Sequence, residues 1–279
     1  MKIAHLILAH SQPLQLERLI GRLDHPDAFF FIHLDDKCDS GPFRFLYGKP
    51  NCFLVRDRVK VSWGAYSIVQ ATINGFQDIA SSGLKIDYVN LLSGSDYPLK
   101  STDAIHSFLE ASGGRNFMQY QLVYGEWEEA IGRLTEYHFT NYNFPGKYVL
   151  QNLAKKWMPK RKMPDNLVPV GRSQWMTITP DAVRYILHYL DSHREVIRFF
   201  KFTWAPDEII FQTILYNSEF RNTLVNNNLR YTDWSAGQAS PKTLTKADLD
   251  RMLASGALFA RKFDMSKEPE VMDLLDETL

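Results

Sequence analysis

The chain has 279 residues, of which 45% are hydrophobic and 23% are charged. These proportions are ordinary for a globular protein, and they exclude a disordered chain, a collagen and a coiled coil. Lysine plus arginine and aspartate plus glutamate both number 32, so no net charge draws the chain towards nucleic acid or an acidic membrane. The length fits one α/β domain, and we expect a single unit over residues 1–279.

The N-terminal apolar stretch Ile3–Ala9 resembles a leader peptide only superficially. It is interrupted by His5, follows a single basic residue and lacks a small-residue cleavage site. No apolar run approaches the roughly 18 residues that span a bilayer. We therefore expect a soluble, cytoplasmic chain. The two cysteines, Cys38 and Cys52, leave a single disulfide and a pair of free thiols equally open.

Short apolar runs alternate with helical patterns through the first half of the chain. Strands are predicted at Ile3–Ala9, Phe29–Leu34, Tyr88–Leu92 and Phe117–Val123, and helices over Leu14–Leu23, over Ser67–Ala80 and after the capping hydroxyl of Ser101. This order predicts an α/β fold with a mostly parallel central sheet and helices on both faces.

The second half begins with an irregular segment, residues 124–168. It contains a basic cluster of Lys155, Lys156, Lys160, Arg161 and Lys162, for which a solvated loop is our first interpretation and a functional patch the second. Such a segment is typical of a lid or acceptor-side insertion.

Regular elements are predicted again after residue 170. These are a strand at Gln174–Thr179, a helix begun by Thr179-Pro180-Asp181, a helix from Ala205-Pro206-Asp207-Glu208 to about Tyr216, a capping box from Thr245 to Asp248 and a surface helix after Lys267.

Common catalytic fingerprints are missing from the sequence, which has no GxGxxG, GxxxxGK[ST], GxSxG or HExxH pattern. Asp248-Leu249-Asp250 has the Asp-x-Asp form by which many sugar transferases hold a metal ion. It falls inside a predicted helix, where residues two apart face different directions. We therefore predict a structural role for it.

Five turns follow predicted strands, where ligands of open α/β sheets bind. They are Leu8–Ser11, His33–Lys37, Ser62–Gly64, Ser93–Pro98 and Leu258–Asp264. Each also has a structural interpretation. The structural alternative is a satisfied strand-end histidine for His10, a helix cap for Asp35 and Asp36, and a core position for Trp63.

Together, these segments resemble the inverting sugar transferases that include the mucin-type branching β-1,6-N-acetylglucosaminyltransferases and the peptide O-xylosyltransferases. The resemblance extends from Ile3 to Asp264. It is carried, in the family's order, by Phe31–Asp35, Val61–Gly64, Asn90–Leu99, Ser173–Trp175, Ala205–Glu208 and Leu258–Asp264. It implies a fold of the GT-A type, with a nucleotide-binding half at 1–123 and an acceptor and catalytic half at 124–279.

The resemblance also implies catalysis without a divalent metal or other cofactor. Charge that develops on the departing diphosphate is then neutralised by cationic side chains. These would be Lys262, with Lys242 as a second candidate and Arg261 as an assistant. The alternative is that Arg261 and Lys262 are surface charges.

Glu208 matches the family's catalytic base, which takes a proton from the acceptor hydroxyl. The structural alternative is that Asp207 and Glu208 simply favour the first turn of a helix.

Substrate contacts are assigned by the same resemblance. The nucleotide-sugar would contact Ala9, His10, Ser11, Asp35, Trp63 and Asp96. The acceptor would contact Arg133, Tyr231, Asp233 and Trp234. Aromatic faces suit the C–H faces of sugar rings.

The sequence therefore predicts transfer of a sugar to a glycan or glycolipid hydroxyl. The preferred candidate donor is UDP-GlcNAc, and the second candidate is UDP-xylose. Peripheral membrane contact through the basic cluster is an added possibility. The small cysteine number suggests a bacterial relative. A glycoside hydrolase, using Glu208 with Asp96, and a non-catalytic glycan-binding module stay open as alternatives.

Overall fold

A seven-stranded sheet forms the centre of the computed structural model, which describes residues 1–278. The strands of the whole chain are β1 (Ile3–Ala9), β2 (Ala28–Leu34), β3 (Cys52–Leu54), β4 (Tyr88–Ser93), β5 (Asp96–Pro98), β6 (Asn116–Leu122), β7 (Val170–Ile178), β8 (Leu224–Asn226), β9 (Arg230–Thr232) and β10 (Phe259–Arg261). The large sheet has the order β3-β2-β1-β4-β7-β6-β8, and a small sheet has the order β5-β10-β9.

Six strands of the large sheet share one direction. β1 pairs in parallel with β2 and β4, β2 with β3, and β6 with β8, whereas β7 is antiparallel to both β4 and β6. The prediction of a mostly parallel sheet is therefore confirmed.

The helices are α1 (Pro13–Arg22), α2 (Tyr66–Ser81), α3 (Thr102–Ala111), α4 (Ile131–Thr135), α5 (Lys147–Trp157), α6 (Pro180–Ser192), α7 (Arg194–Phe200), α8 (Ile210–Tyr216), α9 (Leu249–Ala254) and α10 (Pro269–Thr278). Side chains of β1 alternate between two apolar cores, because successive strand residues point to opposite faces. Ala4 and Leu6 pack in the core with α2, α6 and α8, whereas Ile3 and Ile7 pack in the core with α1, α3 and α10. Helices on both faces are thus confirmed.

The predicted caps are present. The hydroxyls of Ser101 and Thr179 accept hydrogen bonds from the third residue after each, and Thr245 with Asp248 forms a capping box. Asp248 is wholly buried and also binds Lys242 and Arg251. Its structural role, predicted from the helix around the Asp-x-Asp pattern, is confirmed.

Two predicted elements need correction. Ala205–Glu208 does not begin a continuous helix to Tyr216, because Ala205 has φ of +47° and Pro206–Glu208 forms a separate 3-10 turn before α8. The segment 124–168 is not simply a solvated loop, because it contains α4 and α5, and Lys155 and Lys156 lie on α5. Val149, Leu153 and Trp157 are spaced four residues apart, and this is the helical signal that the loop interpretation overlooked.

Cys38 and Cys52 are free thiols in the described chain. Within residues 1–278, none of the helices is both long enough and apolar enough to cross a bilayer. The division into a nucleotide-binding half and an acceptor half stays a prediction.

Candidate active site

Three of the predicted strand-end turns meet at the carboxyl ends of β1, β2 and β4. The main-chain N–H of Asp35 donates to the carbonyl of Ala9 over 2.9 Å, and Gly94 N donates to Leu8 O over 3.0 Å. Beyond them, His10 and Ser11 are exposed. The sheet therefore brings Ala9, His10, Ser11 and Asp35 to one edge, as the sequence predicts.

The C-terminal segment after β10 joins the same edge. Phe263 N donates to Ser95 O over 2.9 Å, and the Gln12 amide donates to Asp264 Oδ1 over 2.7 Å. Gln15 bridges the two turns, since its amide donates to Gly94 O and Phe263 O and its oxygen accepts from Met265 N. The turn after β4 and the segment that carries Lys262 are thus held together.

The side chain of Arg261 is mostly buried and lies between an acid and an aromatic ring. In the small sheet it is registered opposite Asp96 on β5 and Thr232 on β9. Its guanidinium is 3.5 Å from Asp96 Oδ1 and stacks 4.2 Å from the ring of Trp175. Burial lowers the pKa of Arg261, while nearby Asp96, Glu208 and Asp207 oppose that shift. The cation therefore lies within electrostatic reach of both acids of the Ala205–Glu208 turn.

Asp96 itself is fully buried. Its Oδ2 accepts a hydrogen bond from Ser93 N, so the carboxylate closes the turn after β4 and faces Arg261.

Glu208 is fixed by one ion pair. Arg133 on α4 donates from Nη1 to Glu208 Oε2 over 2.5 Å, with side chains 17% and 28% exposed respectively. The Arg133 guanidinium lies between the rings of Trp127 and Trp204, 4.8 Å and 4.4 Å from their centroids. Stacking on two rings restricts the guanidinium, and the guanidinium in turn restricts the carboxylate.

Asp207, the neighbouring acid, is buried, and its Oδ1 has no hydrogen-bond partner among the described residues. Burial, with a smaller contribution from Glu208, raises the pKa of Asp207 to about 7. The two adjacent carboxyl groups thus have different environments, one hidden from solvent and one partly open.

Strand β7 links the two groups of residues. Gly171 packs against the backbone of Glu208, and the ring of Trp175 stacks against the guanidinium of Arg261. β7 is irregular between these two residues, because its pairing with β6 shifts from Met118–Met176 to Tyr120–Arg172. The backbone of the turn that carries Glu208 and the guanidinium of Arg261 therefore both pack against this irregular stretch of β7.

The two candidate lysines differ in their contacts. Lys262 is half-buried, and its carbonyl accepts from Leu244 N. The Lys242 ammonium binds both oxygens of Asp248, at 2.8 Å and 2.9 Å. A diphosphate would have to compete with Asp248 for Lys242, whose predicted role in donor binding stays a prediction.

The remaining predicted residues surround these groups. Trp63 is 64% exposed and meets Trp204 edge to face at 5.5 Å, so it is a surface ring and not a core residue. Tyr231 lies on β9 beside β10, and Trp234 is 54% exposed. Asp233 is buried and accepts from Ser235 N. The contacts predicted for these residues with nucleotide-sugar or acceptor stay predictions.

Sequence reasoning missed Trp127 and Trp204, and it assigned Arg133 to the acceptor without placing it beside Glu208. Trp204 directly precedes the Ala205–Glu208 turn, which was the available signal. Trp127 and Arg133 lie in the irregular segment, where no strand or motif indicated their position.

Among residues 1–278, no group of three or more His, Cys, Asp and Glu side chains is arranged to hold a metal ion. Metal independence itself is a prediction about the reaction, and an activity measurement decides it.

Comparison with known proteins relates this geometry to a family. The chain is 28% identical over 308 residues to the xylosyltransferase oxt of Drosophila pseudoobscura pseudoobscura and 27% identical over 304 residues to human xylosyltransferase 2. The alignments cover 100% and 99% of this chain but 33% of each relative, so the chain spans about a third of their length. The solved structure of the galactosyltransferase LgtC with donor and acceptor sugar analogues aligns at 10% identity and a TM-score of 0.47, covering 99% of this chain and 95% of LgtC.

A family model described as Core-2/I-branching enzyme matches residues 3–254, which is most of the chain and includes every element from β1 to α9. The matched region contains Glu208, Arg133, Asp96 and the turns at the carboxyl ends of β1, β2 and β4. The α/β architecture described above agrees with the GT-A type of fold predicted for this family. The chain belongs to the Core-2/I-branching enzyme family of glycosyltransferases.

Proposed function

We propose that this chain transfers a sugar from a UDP-sugar to an acceptor hydroxyl, with inversion and without a metal ion. The observation that carries the proposal is that two ion pairs, Glu208 with Arg133 and Arg261 with Asp96, both lie beside the same stretch of β7. The first pair offers a base, and the second offers positive charge.

Glu208 is the base. The acceptor hydroxyl gives its proton to Glu208, and its oxygen bonds to the anomeric carbon as the bond from that carbon to the diphosphate oxygen breaks on the opposite face. Arg133 occupies Oε2, which leaves Oε1 of a partly exposed carboxylate to receive the proton. Attack opposite the leaving group converts an α-linked donor into a β-linked product.

Lys262 and Arg261 stabilise the leaving diphosphate. Negative charge grows on the departing oxygens as the bond breaks, and a fixed cation in a partly enclosed site stabilises that charge strongly. Asp96 and Trp175 hold Arg261 in place before the donor arrives, so little rearrangement is needed. Lys242 is a second contributor if the donor releases it from Asp248.

We propose UDP-xylose as the donor, because the curated relatives described above are xylosyltransferases that match along the whole chain. UDP-GlcNAc is the second candidate, since it suits the branching-enzyme family to which the chain belongs. The acceptor is a hydroxyl of a glycan or glycolipid, with Arg133, Tyr231, Asp233 and Trp234 as candidate contacts.

The hydrolase alternative is less favoured. It requires two carboxylates facing a cleft, and Asp96, the partner of Glu208 in that scheme, is fully buried and bonded to Ser93 N. A non-catalytic glycan-binding module would not require the Glu208 carboxylate to be fixed by Arg133, which itself stacks on two tryptophan rings.

The test measures UDP release from UDP-xylose and UDP-GlcNAc, with water or an added glycan as acceptor, and measures UDP affinity separately. We expect Glu208→Gln to lower turnover by about 10²–10⁴-fold while UDP affinity is kept. Lys262→Met should weaken UDP binding as well as turnover. Glu219→Gln and Lys85→Met make the same chemical changes at exposed positions and serve as controls.

Turnover should persist in EDTA, and loss of activity with chelator would contradict metal-free transfer. Wild-type turnover by Glu208→Gln would contradict the assignment of the base. Free sugar released from an oligosaccharide without nucleotide would favour a hydrolase. Glycan binding without turnover on either UDP-sugar would indicate a binding module.

A further inference from the structure

Helix α5 exposes an apolar stripe on the outside of the molecule. Val149, Leu153 and Trp157 follow one another at intervals of four residues, which places them on one side of the helix. They are 65%, 49% and 75% exposed, and Leu150 beside them is 47% exposed. Large apolar side chains grouped on a surface mark an interaction site more often than scattered ones do.

The other side of α5 is fastened to the protein. Ala154 is buried, and the Gln151 side-chain oxygen accepts from Phe139 N over 2.9 Å. Lys155 forms an ion pair with Glu136 at 2.8 Å. Because these contacts fix the orientation of the helix, the stripe stays outward and is not part of the protein's own core.

The surroundings of the stripe are strongly basic. Residues 147–163 contain six cations and no acid, although the whole chain has equal numbers of both. The cations are Lys147, Lys155, Lys156, Lys160, Arg161 and Lys162. Lys155 and Lys160 pair with Glu136, and Arg161 donates inward to the carbonyls of Glu136 and Phe202, so Lys156 and Lys162 are the exposed cations without an acidic partner among the described residues. Lys156 and Lys162 are exposed, the side chain of Lys160 is 65% exposed, and the Lys156 ammonium lies 5.4 Å from the ring of Trp157. Apolar and basic side chains therefore share one surface.

We propose that α5 docks on a membrane surface that contains anionic lipids. Val149, Leu153 and Trp157 enter the boundary between headgroups and acyl chains, and Lys156 and Lys162 face the lipid phosphates. Amphipathic helices with aromatic and leucine side chains on one face and lysines beside them bind membranes in this way. A second copy of this chain is a poorer occupant, because two such basic surfaces repel each other.

The position of α5 connects the membrane surface to the active site. Glu136, which binds Lys155, directly follows α4, the helix that carries Arg133 beside Glu208. Docking through α5 would bring the acceptor side of the site near the lipid surface, which suits an acceptor carried on a lipid. Only this last step rests on the proposed function, since membrane binding requires neither donor nor turnover.

The experiment is flotation of the full chain with vesicles of phosphatidylcholine mixed with phosphatidylglycerol, compared with phosphatidylcholine alone, in the absence of nucleotide. We expect binding to the mixed vesicles that weakens as salt is raised. Leu153→Glu with Trp157→Glu should lower the partition coefficient by more than about tenfold. Lys156→Gln and Lys162→Gln should each lower it about fivefold at low salt.

Leu14→Glu with Tyr47→Glu is the matched control, because these side chains are 67% and 60% exposed outside residues 147–163 and the two changes add the same two charges. Circular dichroism and thermal melts establish that each variant is folded. The proposal is overturned if the wild type binds neither vesicle or binds both equally. It is also overturned if the folded α5 variants bind like the wild type, or if the stripe proves to join two copies of the chain in sedimentation without vesicle binding.

Discussion

Substituting Gly171 with alanine should disable the base without touching its side chain. Gly171 lies on β7 against the turn that carries Glu208. A Cβ added there would be 2.2 Å from the carbonyl oxygen of Glu208 and 2.8 Å from Cα of Ile209. Both of these neighbours are backbone atoms, so no side-chain rotation relieves the contact.

The size of the effect follows from these distances. A carbon and an oxygen need a separation of more than 3 Å, so the turn and β7 must move apart by about 1 Å. Overpacking of this kind costs about 1–3 kcal/mol of stability. A displacement of about 1 Å at a reacting group can lower the rate about a hundredfold.

The assay compares kcat for UDP release, UDP affinity and the melting temperature of Gly171→Ala with those of the wild type. We expect kcat to fall about a hundredfold while UDP affinity stays within about twofold, because Arg261 and Lys262, the cations proposed to bind UDP, lie on β10 and directly after it rather than on β7. The control is Gly21→Ala. Nothing lies within 4 Å of a Cβ at Gly21 on α1, so this change should raise stability by about 0.5–1 kcal/mol and leave kcat unchanged.

Two results would refute the reasoning. A folded Gly171→Ala protein with wild-type kcat would mean that the placement of the Glu208 backbone does not limit the reaction. Equal losses of kcat and UDP affinity would mean that the substitution disturbs the whole site and not the base alone.

Two further predictions concern the neighbours of Glu208. Arg133→Lys keeps the charge but loses the planar group between Trp127 and Trp204. We therefore expect kcat to fall at least about tenfold while UDP affinity is kept. Unchanged kcat would show that the stacked guanidinium does not position the base. Asp207 has a pKa raised by burial from 3.8 to about 7, so its carboxyl loses its proton more readily in the unfolded chain and native stability falls as pH rises between these values. Asp207→Asn should lack this fall, so above pH 7 its free energy of unfolding in urea should exceed that of the wild type by up to about 4 kcal/mol. If the free energies of unfolding of the two proteins changed in parallel with pH, the raised pKa of Asp207 would be contradicted.

The strand-end turns were predictable because they depend on local signals and one general rule. Apolar runs of strand length identified β1, β2 and β4, and parallel strands bring their carboxyl ends to one edge. Ala9, Asp35 and the turn after β4 therefore meet as predicted. The caps at Ser101 and Thr179 were equally local, since each needs only a hydroxyl and an N–H three residues later.

The sequence by itself determined the alternation of strands and helices, the order of the family motifs and Glu208 as a candidate base. Only the tertiary structure decided that Arg133 stacks on two tryptophans and binds Glu208, that Lys242 binds Asp248, and that α5 exposes its apolar side. Local patterns specify hydrogen bonds and periodicity within a few residues. The partners of a side chain 75 residues away depend on how the sheet and its connecting segments pack, and no local pattern encodes that packing.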